Sequence, residues 1–164
     1  MPTWSRVAIV PVLLLLLWQG VFAVQVLVSD VLNFKVQRTV IFWGVSDNKP
    51  TAGEIALVRG QMESALGLWP QNPDYLALLA RLYGWQGQIA DRSAANEQYR
   101  LAIVTMRKSL EQRGGNPYSW AQYAEYLATQ RDRKIELDIA AERVRLLGAG
   151  DQKLQQRMQA LVRR

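Results

Sequence analysis

The chain has 164 residues, 49% of them hydrophobic and 21% charged, with no Cys, no His and a formal net charge of +6. Its length supports one modest domain. Without His or Cys it cannot build a His/Cys zinc site, a c-type haem attachment, a Ser-His-Asp triad, a thiolate nucleophile or a disulfide framework. The basic balance admits nucleic acid, an anionic membrane surface or an acidic polymer as partner, and does not choose among them.

No charge falls between Arg6 and Asp30, and the 22 residues from Val7 to Val28 carry only Gln19 and Gln25 as strongly polar side chains. As a helix rising about 1.5 Å per residue they reach about 33 Å, enough for a hydrocarbon core of about 30 Å. Lipid requires the backbone to satisfy its own hydrogen bonds, so the segment is expected to be helical, with Pro11 near its first turns and Trp4 at a headgroup boundary. A secretory leader competes with this reading: Arg6 makes a basic start, Val7 to Leu17 an apolar run, and Val21-Phe22-Ala23 a site for cleavage after Ala23. Against it, hydrophobicity continues through Val24, Val26, Leu27 and Val28, which a cleaved leader does not need. Residues 1–28 therefore read as a tail and an uncleaved transmembrane anchor, with the remaining chain placed outside the cytoplasm. The positive-inside balance, Arg6 and the free amine against Lys35 and Arg38, is nearly even.

Residues 29–50 form a mixed juxtamembrane segment in which a helix continues out of the bilayer and the pair Phe42-Trp43 docks onto the domain or the interface. From 51 to 164 the pattern is helical. Thr51 and Glu54 make a capping box, followed by Ile55, Val58, Met62, Ala65, Leu66 and Trp69 at three- and four-residue steps until Pro70. Asn72-Pro73 and Asn116-Pro117 each pair a cap residue with proline at the first helical position. The helix after Asn72 carries Tyr75, Leu76, Leu79, Leu82 and Tyr83 and is expected to stop near Gly84 and Gly87. The one after Asn116 carries Trp120, Tyr123, Ala124 and Leu127 and stops before Arg131-Asp132-Arg133-Lys134. Two further amphipathic stretches hold Ala95, Tyr99, Ala102, Ile103, Met106 and Leu110 up to Gly114-Gly115, and Ile135, Ile139, Ala140, Val144 and Leu147 up to Gly148. A last helix, Gln152 to Val162, shows Leu154, Met158, Leu161 and Val162 on one stripe.

Six pairs of these positions, from Tyr75 with Trp120 to Ala102 with Leu147, are separated by 45 residues. Paired helices at a constant interval bury a continuous core by stacking. The step Val58, Met62, Ala65 followed by Pro70 resembles the second helix of a tetratricopeptide repeat, and the segment from Ala65 to Pro73 its helix end and restart, although the usual period is about 34 residues. The expected fold is all-α: an N-terminal transmembrane helix followed by a tetratricopeptide-like stack of antiparallel helical hairpins.

The N-terminal span, Phe42-Trp43-Gly44, Ala65-Leu66 with Pro70-Gln71-Asn72-Pro73-Asp74-Tyr75-Leu76, Trp85, Asn116-Pro117 and Trp120-Ala121 together resemble the VpsP-type polysaccharide biosynthesis proteins of Gram-negative bacteria. That resemblance implies an inner-membrane accessory protein of exopolysaccharide production, without catalytic residues to carry over. As a scaffold the chain would hold protein components of a synthesis or export assembly, or an acidic polysaccharide, with no cofactor and no metal. The surface groups expected to bind the partner are Arg81, Tyr83, Trp85, Tyr118, Gln122, Glu125 and Tyr126, against core packing for the aromatics and a solvated face for Arg81 and Glu125. An assembly factor for another envelope complex is the close alternative. A glycan-processing enzyme would need two facing carboxylates, for which Glu125 could face a carboxylate of the neighbouring hairpin; Asp132, Glu136, Asp138 and Glu142 lie along polar helix faces, with Glu142 and Arg145 as a surface pair. Nucleic-acid binding finds no recognition motif around Arg131–Lys134 or Arg157, Arg163 and Arg164. Those terminal arginines are expected to complement a helix C-terminus or touch anionic lipid or polymer.

Overall fold

The structure, a computed structural model, describes residues 4–45 and 49–163, with side chains at 10–43 and 49–163. The side chains of Trp4 and Arg6, and Arg164 as a whole, lie outside the described residues, so the placements expected for them do too. The described residues form helices only: α1 (Trp4–Val45), α2 (Ala52–Leu68), α3 (Pro73–Ile89), α4 (Arg92–Gln112), α5 (Pro117–Leu127), α6 (Lys134–Leu147) and α7 (Gln152–Val162).

Local chemistry explains most of the boundaries. At the start of α2 the Thr51 hydroxyl accepts from the Glu54 amide at 3.3 Å, and the Glu54 carboxylate accepts from the Thr51 amide at 2.8 Å, satisfying two donors that the first turn leaves open. Asn72 caps α3 and Asn116 caps α5, each with proline following at once. Asp91 and Asp151 cap α4 and α7 in the same way, accepting from the Ala94 and Leu154 amides. Pro11 lies inside α1, which begins at Trp4, and not in its first turn.

Two expectations need correction. First, α3 does not stop at Gly84 or Gly87 but runs through both to Ile89. Each glycine lies under a tyrosine ring, Tyr126 over Gly84 and Tyr99 over Gly87, where a Cβ would come within 2.7 Å and 2.9 Å of ring atoms. Close approach, not helix termination, is what these glycines serve. Second, the 45-residue interval does not extend along the whole repeat: Asn72 and Asn116 are 44 apart, and Arg92 and Lys134 begin their helices 42 apart. At the 45-residue register Ala102 is buried while Leu147 is 42% exposed, because α4 has 21 residues and α6 only 14.

The helices alternate in direction. Ser109 Oγ near the end of α4 donates to the Pro73 carbonyl at the start of α3 at 2.7 Å, so these two run antiparallel. Arg81 and Gly84 of α3 meet Gln122 and Tyr126 of α5 in that order, and Tyr118 and Glu125 of α5 meet Asp151 at the entry to α7 and Arg157 within it, so α3, α5 and α7 run parallel. Helix α1 joins this set, since the Tyr75 hydroxyl donates to Asp30 at 2.7 Å while Val40 and Ile41 lie beside Gly84 and Trp85.

The core falls into two clusters. One joins α1 and α2 to α3 through Val36, Val40, Trp43, Ile55, Val58, Met62, Ala65, Tyr75, Leu78, Leu79 and Leu82. The other joins α3 and α4 to α5, α6 and α7, with Met106, Ala124, Leu127, Ala140 and Val144 at its centre. Trp43 meets Trp85 edge to face with ring centroids 6.3 Å apart, so that aromatic residue does dock onto the domain, whereas Phe42 beside it is exposed. Exposure also falls on Trp69, Ile135 and Ile139, which the periodicity placed inward. Helix α6 packs mainly on α5 and α7, leaving part of its apolar surface uncovered.

Candidate interaction groove

The parallel helices α1, α3, α5 and α7 border a groove of about 400 Å³. On α3 the positions Asp74, Ala77, Leu78, Arg81, Trp85 and Gln88 recur at three- and four-residue steps and so share one stripe. Tyr118, Gln122 and Glu125 do the same on α5. Val40 and Ile41 of α1 close one wall and Arg157 of α7 stands at the other. A second trough of about 290 Å³ continues past Arg81, bordered by Asn33 and Gln37 of α1, Asp74, Ala77 and Leu78 of α3, and Asn116 and Ser119 of α5.

Six of the seven side chains expected to bind a partner line the larger groove: Arg81, Trp85, Tyr118, Gln122, Glu125 and Tyr126. Tyr83 does not line either trough; it is half-buried and packs against both core clusters. Val40, Ile41, Gln88 and Arg157 line the larger groove as well, and Asn33 and Gln37 the second trough, none of them among the residues expected there. For Gln88 a signal existed, since it follows Arg81 and Trp85 by seven and three residues. No periodicity in α3 or α5 could reveal the residues of α1 and α7.

Several groove residues also have structural partners. Arg81 is half-buried, and its Nε donates to Gln122 Oε1 at 2.5 Å. Glu125 pairs with Arg157 at 2.5 Å. Burial pushes the Glu125 carboxyl above the ordinary glutamate range, while the Arg157 charge and hydrogen bond oppose the rise. Arg157 is thus committed to Glu125, a role that its place near the chain end did not suggest. The Tyr118 hydroxyl donates to Asp151 at 2.8 Å and ties α5 to the cap of α7. Tyr126 is buried against Gly84, and burial drives its phenol far up.

Like Glu125, the carboxylates Glu142 and Glu136 are held by arginines. Glu142 receives both Arg145 Nε and Nη2, at 2.7 and 2.6 Å, as the surface pair that the spacing indicates. Glu136 sits at the edge of a separate hollow of about 300 Å³ bordered by Arg107, Leu110, Glu111, Trp120, Tyr123 and Ile139. There it accepts from Arg107 at 2.6 Å, Arg133 at 2.7 Å and the Tyr123 hydroxyl at 2.9 Å. Burial raises its carboxyl, but the hydrogen bonds from Arg133 and Tyr123 and the two guanidinium charges outweigh that and hold it below the ordinary range. A depressed carboxyl contributes stability above its unfolded value, about 4.3, that is lost as pH falls through the lower folded value. Acid should therefore weaken this network, by less than about 1 kcal/mol for ion pairs so open to solvent, and Glu136→Gln should flatten that part of the pH dependence. Urea denaturation at neutral and acidic pH would measure it. Glu125 contributes with the opposite sign, because protonation removes a burial cost. An unchanged acid dependence in the Glu136→Gln variant would contradict the assignment.

Among the described residues no group of three or more carboxylates converges in a way that could hold a metal ion. Helix α1 supplies one stretch, Val10–Trp43, long and apolar enough to cross a membrane. No protein-family model, curated protein or solved structure matches the chain.

Proposed function

We propose that the protein is a non-enzymatic, inner-membrane-anchored scaffold or accessory protein for exopolysaccharide biosynthesis or export, related to the VpsP-type proteins. In this reading α2 to α7 are a tetratricopeptide-like stack of antiparallel hairpins on the periplasmic side, and α1 is retained as a signal anchor. One observation supports it above the others: the anchor helix itself forms a wall of the groove, through Val40 and Ile41, opposite the polar residues of α3 and α5. A partner segment lying there would be held at a fixed height above the bilayer, and confinement to the membrane raises its effective concentration, so modest contacts suffice. Arg81, Gln88, Gln122 and Tyr118 offer hydrogen bonds along that path, and Trp85 an apolar contact.

Affinity capture of the intact protein from detergent-solubilised membranes tests this. Recovery of glycosyltransferase or export components by the wild type, reduced about tenfold by Gln88→Trp or Arg81→Glu, is the expected result. Gln88 is exposed, so the larger side chain obstructs the groove without removing a buried contact. Recovery of components of a different envelope complex would favour an assembly factor. Turnover of an exopolysaccharide by the purified protein, abolished by Glu125→Gln, would make it an enzyme.

A further inference from the structure

Helix α1 changes character at one point. From Val10 to Val28 its large apolar side chains are mostly exposed, and Trp18 reaches 74%. From Ser29 onward one face is buried, with Ser29, Val36, Val40 and Trp43 against α2 and α3. The Tyr75 hydroxyl bonded to Asp30 pins the start of α3 at this same level. Helix directions then decide what else lies there. Helix α2 returns along α1 and ends at Leu68; α3 starts beside Asp30; α4 ends beside the start of α3, where Arg113 pairs with Asp74; α7 starts beside Tyr118. The α2–α3, α4–α5 and α6–α7 turns therefore share the end of the domain nearest the apolar half of α1.

Two of these three turns present exposed apolar side chains, whereas the α4–α5 turn, Arg113-Gly114-Gly115-Asn116, is polar and is held by the Arg113–Asp74 pair. Leu68 and Trp69 stand 41% and 42% exposed before Pro70, and Leu146 and Leu147 are exposed before Gly148-Ala149-Gly150. Lys108 and Lys153 are exposed close by. At the far end the turns and helix starts carry Asp91-Arg92 and Arg131-Asp132-Arg133-Lys134, with Ile89 and Ile135 as the exposed apolar neighbours. Trp69 follows Ala65 by four residues in a helical pattern, which placed it in the core; the chain instead leaves the helix at Leu68 and turns the indole outward.

We propose that the α2–α3 turn, through Leu68 and Trp69, together with the Leu146–Ala149 corner, is a second membrane contact that seats the domain on the phospholipid surface crossed by α1. Tryptophan with an apolar neighbour suits the headgroup boundary, and Lys108 and Lys153 suit anionic headgroups. The continuity of this end with the exposed apolar surface of α1 is what selects lipid as its partner. Seating also orients the groove, because α1, α3 and α5 then stand across the membrane plane with the Asn33 and Asn116 trough nearest the bilayer.

The inference rests on α1 crossing the bilayer, and one experiment separates the two. The chain has no native cysteine, so Trp18→Cys, Trp69→Cys, Leu147→Cys and Ile135→Cys each give a single site for a fluorescent label on the full-length protein. The labelled proteins are reconstituted in phosphatidylcholine–phosphatidylglycerol nanodiscs and quenched with nitroxide lipids or aqueous iodide. The expected result is mid-chain lipid quenching at 18, headgroup-level lipid quenching at 69 and 147 several-fold above that at 135, and iodide quenching greatest at 135. If 69 and 147 match 135 while 18 is quenched by lipid, the anchor stands and the seating is wrong. Shielding of 69 from both lipid and iodide would assign that turn to a protein contact and overturn the proposal. Absence of lipid quenching at 18 would remove the anchor and the seating together.

Discussion

Alanine at position 84 should destabilise the protein by about 1–3 kcal/mol, whereas alanine at position 60 should stabilise it by about 0.5–1 kcal/mol. Both glycines lie inside helices, and neither has positive φ. On propensity alone each substitution helps. Gly60 has nothing within 4 Å of where a Cβ would lie, so the propensity gain is realised. At Gly84 the new methyl would sit 2.7 Å from Tyr126 Cε1 and 2.8 Å from its hydroxyl oxygen. Tyr126 is only 6% exposed and held in the larger core cluster, so its ring has little room to move aside. Overpacking then exceeds propensity, and Gly84→Val should cost more still. Thermal or urea denaturation of the two alanine variants measures the opposite signs. Combining Gly84→Ala with Tyr126→Leu should recover part of the loss, giving a coupling of about 0.5–3 kcal/mol in a double-mutant cycle. Equal, stabilising effects at 60 and 84 would mean that α3 and α5 do not meet through this contact.

A larger loss is expected from Val36→Asp. Val36 is 0% exposed on α1 and packs with Val40, Trp43 and the apolar stripe of α2. An aspartate there would be buried among the apolar side chains of that cluster, which costs about 3–5 kcal/mol, comparable to a large part of a domain's stability. Gln37→Asp, one residue along on an exposed position, should change stability by about 0.5 kcal/mol or less. Proteolysis of the purified full-length protein in detergent, with the digestion pattern followed by mass, distinguishes the outcomes. Val36→Asp should expose α2 and α3 to cleavage while Gln37→Asp resists it. Resistance of Val36→Asp would show that the second half of α1 is not part of the folded core.

That half of α1 shows why only part of the molecule was legible beforehand. The capping box at Thr51, the Asn-Pro starts of α3 and α5 and the bounds of α7 were readable because each depends on groups within one turn of the chain. The continuation of a helix beyond Val28 was readable as well, but not which of its sides is buried, since Ser29, Val36 and Val40 are covered by residues that follow much later. Gly84 and Gly87 read as stops because glycine weakens an isolated helix; two tyrosines from other helices reverse that meaning. The groove was half legible: Arg81 with Trp85, and Tyr118 with Gln122 and Glu125, follow from helix periodicity, whereas Arg157 reaches Glu125 only after α7 has folded alongside α5.

The amino-acid order by itself determined the helices of the domain, the starts of α2, α3, α5 and α7, the apolar reach of α1 and the absence of His and Cys chemistry, because propensity, capping and composition act over a few residues. Tertiary structure alone decided that α1 is a wall of the groove as well as a candidate span, that Tyr83 packs away from it, that α3 passes through its glycines, and which turns face the apolar half of α1. Those outcomes depend on contacts between residues distant in the chain, whose side chains set each other's burial only once the helices have packed.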